Sequence, residues 1–310
     1  MKLADRIPFG LSLPHRSPDP IDPGGLNIDA IRIVAQRAEA HGFQDLWVTE
    51  NTIDHVTCFD PVVILTYAAA VTTKIRLGTS VLVLPVHDPR WVAHQWATLD
   101  TVSNGRATMG VGIGRPNHYH EFQIPIEGRV SRFREMLEVI RALWSQEHVT
   151  HNGRFFHLDK ARLGLRPVQK PLPIWMGVGH PDAIRRTANL ADGWMGAGGS
   201  TMADFRRTIP LLKDALEKAD RDPETFPISK RIFMMVDEKP ERARAALHRW
   251  YTDVYRNPEG TETSGLYGTP ERIAERLEEL IANGANHLLL NPVAQYAEQT
   301  EALASLIGLP

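Results

Sequence analysis

Short apolar runs alternate with amphipathic stretches along this chain, and the alternation repeats eight times. Residues 7–13 read as a strand, followed by a Pro/Asp/Gly-rich loop over 14–26. Asn27 then precedes a segment whose apolar positions Ile28, Ile31, Val34, Ala35 and Ala38 keep helical spacing, and Gly42 follows where a left-handed C-cap is wanted. Residues 45–50 (DLWVTE) form the next strand, 59–72 a helix with Pro61 in its first turn, 75–85 (IRLGTSVLVLP) a strand and 89–103 a helix. The rhythm continues through strand 107–114, helix 129–145, strand 173–179, helix 181–191, strand 193–197, helix 202–219 and strand 228–237. Helices 240–255 and 270–283, strand 287–291 (HLLLN) and helix 294–307 complete it. Thr269-Pro270-Glu271 is a helix start: a threonine cap, a proline at the first position and an acid in the first turn.

Eight strands, each followed by at least one helix, predict an α/β chain folded as a single (β/α)8 TIM barrel, a fold that usually takes about 250 residues and tolerates insertions. A doubly wound open sheet is the competing architecture. Two places exceed the rhythm. Residues 146–172, after helix four, hold Asn152-Gly153 between two extended runs and predict a hairpin, expected to edge the barrel mouth. Residues 257–268 separate the two helices after strand seven. No point along the chain shows a compositional shift, so residues 1–310 read as one domain carrying these two insertions.

Composition narrows the function. With 35 basic and 37 acidic side chains the net charge is −2, so no global field gathers nucleic acid or anionic lipid. A hydrophobic share of 43% with 23% charged residues excludes a disordered chain. No stretch approaches the roughly 18 apolar residues of a spanning helix, and residues 1–6 lack the apolar core of a secretory signal. Cys58 is the only cysteine, which excludes an intramolecular disulfide and fits a cytoplasmic location. Neither nucleic acid nor membrane is expected as a partner.

In a barrel the chemistry belongs at the C-terminal ends of the strands. Strand two ends in Glu50-Asn51-Thr52, with Asp54 and His55 just beyond. Strand four ends in Gly110-Val111-Gly112-Ile113-Gly114-Arg115, then His118-Tyr119-His120-Glu121. Strand five ends in Gly177-Val178-Gly179-His180, where a helix starts, and strand six in Gly196-Ala197-Gly198-Gly199. These glycines either permit tight turns or let a planar, phosphorylated ligand approach the backbone, with free amides at a helix start favouring the phosphate. Gly110-x-Gly112-x-Gly114 is not a dinucleotide fingerprint, because no helix is expected immediately after it. His118-x-His120-Glu121 in a loop lacks a metal-ligand spacing, so no metal site is expected. No GxSxG elbow is present. Cys58 precedes a helix start, which can depress a thiol pKa; a buried, inert thiol is the alternative. His55 is either a proton carrier or a rim histidine that bonds its neighbours.

At these residues the chain resembles the bacterial luciferase-like family of flavin- and deazaflavin-dependent oxidoreductases. The resemblance is carried by 38–50 (AEAHGFQDLWVTE), 74–85 (KIRLGTSVLVLP), 96–114 (WATLDTVSNGRATMGVGIG) and 133–144 (FREMLEVIRALW), and continues through 173–194 and 268–292. It implies a barrel, usually a homodimer, that holds FMN or coenzyme F420 at its mouth. It also implies a non-proline cis peptide at Ser80-Val81 behind the cofactor ring, a ring contact from Glu50, and a phosphate held by the amides of Val178, Gly179 and His180. The last is the turn that the anion argument selects independently. Gly112 and Gly114 would let the ring edge approach strand four.

Departures from the family pattern limit the activity. Sugar-phosphate dehydrogenases of the family carry a histidine and a tryptophan after strand two and a glutamate after strand four, where this chain has Asn51, His55 and Arg115. Asparagine cannot act as a base and arginine does not donate protons near neutrality. Asn51 and His55 remain as groups that would bond the substrate or give it a proton. The resemblance therefore implies hydride transfer between coenzyme F420 and a small organic substrate. An FMN-dependent monooxygenase that takes reduced flavin from a separate reductase and reacts it with O2 is the alternative, and a non-catalytic flavin-binding barrel the third reading; the partner expected of either redox enzyme is a separate flavin or F420 reductase.

Overall fold

The structure, a computed structural model, describes residues 2–17 and 26–310, so most of the predicted loop 14–26 lies outside the described residues. Eight strands form its centre: β1 (Phe9–Ser12), β2 (Asp45–Val48), β3 (Arg76–Thr79), β4 (Ala107–Gly112), β5 (Ile174–Met176), β6 (Gly193–Gly196), β7 (Ile228–Val236) and β8 (His287–Pro292). Each pairs in parallel with the next, and β8 pairs back onto β1 with Leu11 opposite Leu290. The sheet is closed, which makes this a TIM barrel and excludes the open doubly wound alternative.

The longer helices are α1 (Ile28–His41), α2 (Pro61–Val71), α3 (Pro89–Val102), α4 (Arg129–Ser145), α5 (Pro181–Leu190), α6 (Met202–Glu217), α7 (Pro240–Asp253), α8 (Pro270–Ala282) and α9 (Tyr296–Ile307). Their ends follow local chemistry. Asn27 accepts the Asp29 N–H at 2.8 Å, and Gly42 closes α1 at φ 86°. Ile31, Val34, Ala35 and Ala38 form the buried stripe of α1, while Ile28 remains exposed. Burying each larger aliphatic side chain stabilises the layer by roughly 1.5–3 kcal/mol.

Inside the barrel the side chains are tiered. At the bottom, Asp45 of β2 and His287 of β8 meet at 3.1 Å, and His287 Nδ1 lies 2.7 Å from Ser229 Oγ. Strand β1 lies between β8 and β2, and the pair meets across it because Gly10 has no side chain: a Cβ there would sit 2.0 Å from Asp45 Oδ1. Above them, Trp47, Trp175, Met195 and Leu289 fill the lumen. Arg231 of β7 then spans to β3, donating to the Ser80 carbonyl oxygen at 3.0 Å. Beside this tier a cavity opens, while Phe233, Met235, Trp250 and Val293 pack as a second buried cluster farther along β7 and β8.

Three sequence expectations need correction. The predicted continuous strand 75–85 is interrupted: β3 stops at Thr79, the Ser80–Val81 peptide is cis, and Leu82–Val83 resumes pairing with Val111–Gly112 before a 3-10 turn at Leu84–Val86. The hairpin in 146–172 forms, as Val149–Asn152 against His157–Ala161, but it lies along α4 and does not edge the mouth cavity. Glu135 of α4 holds it there by accepting the amides of Arg154, Phe155 and Phe156. Residues 257–268 are not simply a spacer; they hold a short helix, Gly260–Thr263, and a strand, Leu266–Gly268, that pairs with the end of β7.

Candidate active site

A cavity of about 460 Å³ opens at the C-terminal ends of the strands, within the size range of small-ligand sites. Nine of the ten residues selected from the sequence line it: Glu50, Asn51, Ser80, Val81, Gly112, Gly114, Val178, Gly179 and His180. His55 is not among them. Its Nδ1 lies 2.5 Å from Asp54 Oδ1, and its Nε2 faces the carbonyl oxygens of Asp253 and Val254 at 3.2 and 3.1 Å. The ring is tied to the end of α7 and turned from the cavity.

Glu50 carries out structural work at the edge of the site. One carboxylate oxygen accepts the Val83 N–H at 2.6 Å; the other accepts from Thr52 at 2.9 Å and lies 2.8 Å from His87 Nε2. These bonds fix the chain where strand three resumes beyond Ser80–Val81. Asn51 donates to Asp54 at 2.7 Å, and Arg115 reaches the same carboxylate at 3.4 Å. Burial alone would raise the Asp54 pKa, but the His55 amide and the Asn51 side chain outweigh it and hold the carboxyl below its ordinary value.

The glycines divide into two kinds. A Cβ on Gly112 or Gly177 would lie 2.6 or 2.5 Å from the Val81 side chain, so both give up their space to Val81. Gly114, at φ 76°, likewise yields to Val83 and His118. The space a side chain would take at these three positions is filled by the protein, while the backbone of Gly112 and Gly114 still lines the cavity. Gly179 differs, since a Cβ there would meet nothing within 4 Å.

The turn around Gly179 is anchored by Trp194, whose Nε1–H donates to the Val178 carbonyl oxygen at 3.0 Å. His180 caps α5 by accepting the Asp182 N–H at 3.3 Å, and Arg185 neutralises Asp182 at 2.9 Å. The amides of Val178, Gly179 and His180 make no hydrogen bond among the described residues. Three successive free donors at the positive end of a ten-residue helix, beside open space, fit an anionic phosphate.

Sequence reading missed several groups. His118 is placed by the short helix Pro116–Glu121, a helix where a loop was expected. Its Nδ1 accepts the Arg115 N–H at 2.9 Å, which leaves the proton of the neutral ring on Nε2. Burial first, and Arg115 second, lower its pKa. His120 is exposed on the other side, so the two histidines diverge. Arg16 and Arg231 also line the cavity. The signal for Arg231 was visible as Lys230-Arg231 interrupting an otherwise apolar strand; Arg16 falls in the predicted loop 14–26, where the structure instead pairs Arg16–Ser17 with Thr57–Cys58 as a short antiparallel ribbon. Burial pushes the Cys58 thiol up to about 11, so it stays protonated near neutrality and the inert alternative fits.

A closed barrel with three free amides at a helix start by its mouth is an enzyme scaffold that hosts many chemistries, and comparison with known proteins gives the family. Residues 7–263 match the family model described as luciferase-like monooxygenase. The chain belongs to that family and is an oxidoreductase of it. An uncharacterized protein of Mycobacterium tuberculosis is 32% identical over 263 residues, covering 78% of this chain and 87% of that one. An F420-dependent glucose-6-phosphate dehydrogenase of Kineococcus radiotolerans is 30% identical over 225 residues, covering 70% of this chain and 66% of the relative. Among solved structures, an F420-dependent secondary alcohol dehydrogenase in complex with an F420-acetone adduct superposes with a TM-score of 0.84 at 21% identity, covering 98% of both chains. No helix among the described residues is long and apolar enough to cross a membrane.

Proposed function

We propose that this oxidoreductase transfers hydride between coenzyme F420 and a small organic substrate. The observation that carries the reading is the run of free amides at Val178, Gly179 and His180 beside the cavity. The F420-dependent dehydrogenase among its relatives supports the choice of cofactor. When bound, the deazaflavin supplies the carbon that gives or takes the hydride.

The chain's own residues position and polarise. The three amides hold the phosphate, and Val81, filling the space above Gly112 and Gly177, offers an apolar surface to the cofactor ring. His118, a cavity-lining histidine whose Nδ1 accepts the Arg115 amide, presents its neutral Nε2–H as a hydrogen-bond donor that polarises a substrate oxygen, while the proton itself comes from solvent. His118→Asn keeps an acceptor for the Arg115 amide but is too short to place a donor where Nε2–H stands. It is expected to lower kcat by about a hundredfold with cofactor affinity unchanged, whereas His55→Ala leaves kcat within about threefold. The opposite pattern would return the role to His55.

The family model's own description favours a second reading, an FMN-dependent monooxygenase supplied by a separate reductase. Side-by-side fluorescence titrations of the purified protein with F420 and FMN separate the two. F420 is expected to bind at least tenfold more tightly, equal or stronger FMN binding reverses the assignment, and binding of neither removes both.

We also propose a homodimer, supported by Val63 and Trp91, which are 69% and 68% exposed on the first turns of the neighbouring helices α2 and α3. Large apolar side chains so exposed mark interaction surfaces when they cluster. Trp91→Glu is expected to halve the mass seen by light scattering. A wild-type protein that is monomeric at micromolar concentration would remove the proposal.

A further inference from the structure

Two guanidinium groups at the cavity have no counter-ion among the described residues. Arg16 and Arg231 are 8% and 7% exposed, both line the cavity, and neither forms an ion pair with a carboxylate among the described residues. Arg231 spends its donors on neutral acceptors, the side-chain oxygen of Asn291 at 2.9 and 2.6 Å and the Ser80 carbonyl at 3.0 Å. Arg16 reaches Asn51 Oδ1 only at 3.4 Å, and its Nη2 is buried without a hydrogen-bond partner among the described residues. Both cations lean on one aromatic wall: Arg16 lies 5.7 Å and Arg231 4.7 Å from the Phe233 ring centre, and Arg16 sits 4.5 Å over Trp250. Burial, and then Arg16, bring the Arg231 pKa down to about 9, so each charge makes the other less comfortable.

The acids of the cavity do not relieve them. Glu50 is committed to Val83, Thr52 and His87, and Asp54 to Asn51, His55 and Arg115. A buried donor left unpaired next to a second buried cation points to a ligand that completes it. A carboxylate suits the site best, because its planar pair of oxygens matches the guanidinium fork and carries one charge. The phosphate turn lies on β5 and α5, whereas these arginines come from β7 and the segment after β1, so the two anion sites belong to different strands of the barrel.

We propose that Arg16 and Arg231 seat a carboxylate of the substrate, so that the enzyme acts on small organic acids. The apolar body of the acid meets Val81, Met195 and Tyr255, which line the same cavity. This rests on the reading of the cavity as the active site, but its test does not require turnover or cofactor.

The test is a titration of the cofactor-free protein with benzoate and butyrate, against benzamide and butyramide, at constant ionic strength. Tryptophan fluorescence is the readout, since Trp250 lies under Arg16. The acids are expected to quench saturably and at least tenfold more tightly than their amides, and to raise the melting temperature. Arg16→Met is expected to lose that preference by at least tenfold while melting at or above the wild-type temperature, because it removes an unpaired buried charge. Arg231→Gln serves as the second variant if the first fails to fold. Equal binding of acid and amide, no saturable binding of either acid, or an unchanged preference in a folded variant overturns the proposal. So does competition between benzoate and F420 for Arg16, which would give the pair to the cofactor. Loss of the carboxylate site with F420 binding intact sinks this inference alone; carboxylate binding without F420 binding sinks only the cofactor reading.

Discussion

Gly179→Asp is expected to leave a folded, stable protein that no longer binds its phosphorylated cofactor. The substitution is sterically silent in the free protein: a Cβ at this position meets no atom within 4 Å, and the backbone is not in the left-handed region. The new carboxylate would stand among the amides of Val178, Gly179 and His180, where the phosphate is proposed to sit. Two like charges about 4 Å apart repel by roughly 4 kcal/mol at the effective dielectric of a protein surface. Even discounted by half for solvent screening, this is a loss of about thirtyfold or more in affinity, and the carboxylate also takes up amides the phosphate needs. Fluorescence titration reads the loss, and an unchanged melting temperature shows that the fold is not its cause. Cofactor affinity within threefold of wild type would remove the turn from the site. Gly179→Ala is the milder control, adding volume without charge.

Gly110→Ala is expected to have the opposite profile, a failure of the fold with no direct contact to ligand. Here a Cβ would lie 1.7 Å from the Thr79 carbonyl oxygen and 2.9 Å from its carbon, both backbone atoms that cannot swing aside. The Thr79 hydroxyl also donates to the Gly110 carbonyl oxygen at 2.7 Å, so moving either strand breaks a buried bond. Overpacking of side chains costs about 1–3 kcal/mol; a clash between two barrel strands exceeds that, and about 4 kcal/mol is a large part of a normal domain's 5–15 kcal/mol. Urea denaturation checks it. Gly164→Ala, which also meets nothing within 4 Å, is expected to stay within about 0.5 kcal/mol of wild type. A Gly110→Ala midpoint matching that control would refute the packing argument.

These two glycines show how far the sequence could be read. Gly110, Gly112, Gly114, Gly177 and Gly179 look alike in the chain, all at strand ends and all compatible with a turn or a ligand. Only the coordinates separate Gly110, pressed against β3, from Gly112, Gly114 and Gly177, filled by neighbouring side chains, and from Gly179, facing open space. His55 and His118 exchanged prominence for a similar reason. His55 follows strand two and is placed by sequence at the rim, but Asp54 and the last turn of α7, nearly two hundred residues on, hold its ring away from the cavity. His118 stands in a run that lacks a metal-ligand spacing and so drew no role from sequence, and a six-residue helix turns it into the site.

The sequence by itself determined the barrel, its order of strands and helices, and the rim on which chemistry would fall. Periodicity, caps and turn residues are local, and each strand–helix unit repeats the same local code, so their sum carries the fold. It also singled out the turn at Val178, Gly179 and His180 as the proposed anion site, because a strand, a glycine and a helix start are contiguous. Tertiary structure alone decided which side chains share the cavity and what remains unpaired there. Arg16 and Arg231 stand more than two hundred residues apart, and both are ordinary in their own segments. Their meaning arises only when ring closure puts β7 and the end of β1 beside one cavity, with no acid among the described residues to pair them. Charge compensation is a property of neighbours in space, which a closed sheet assigns without regard to distance along the chain.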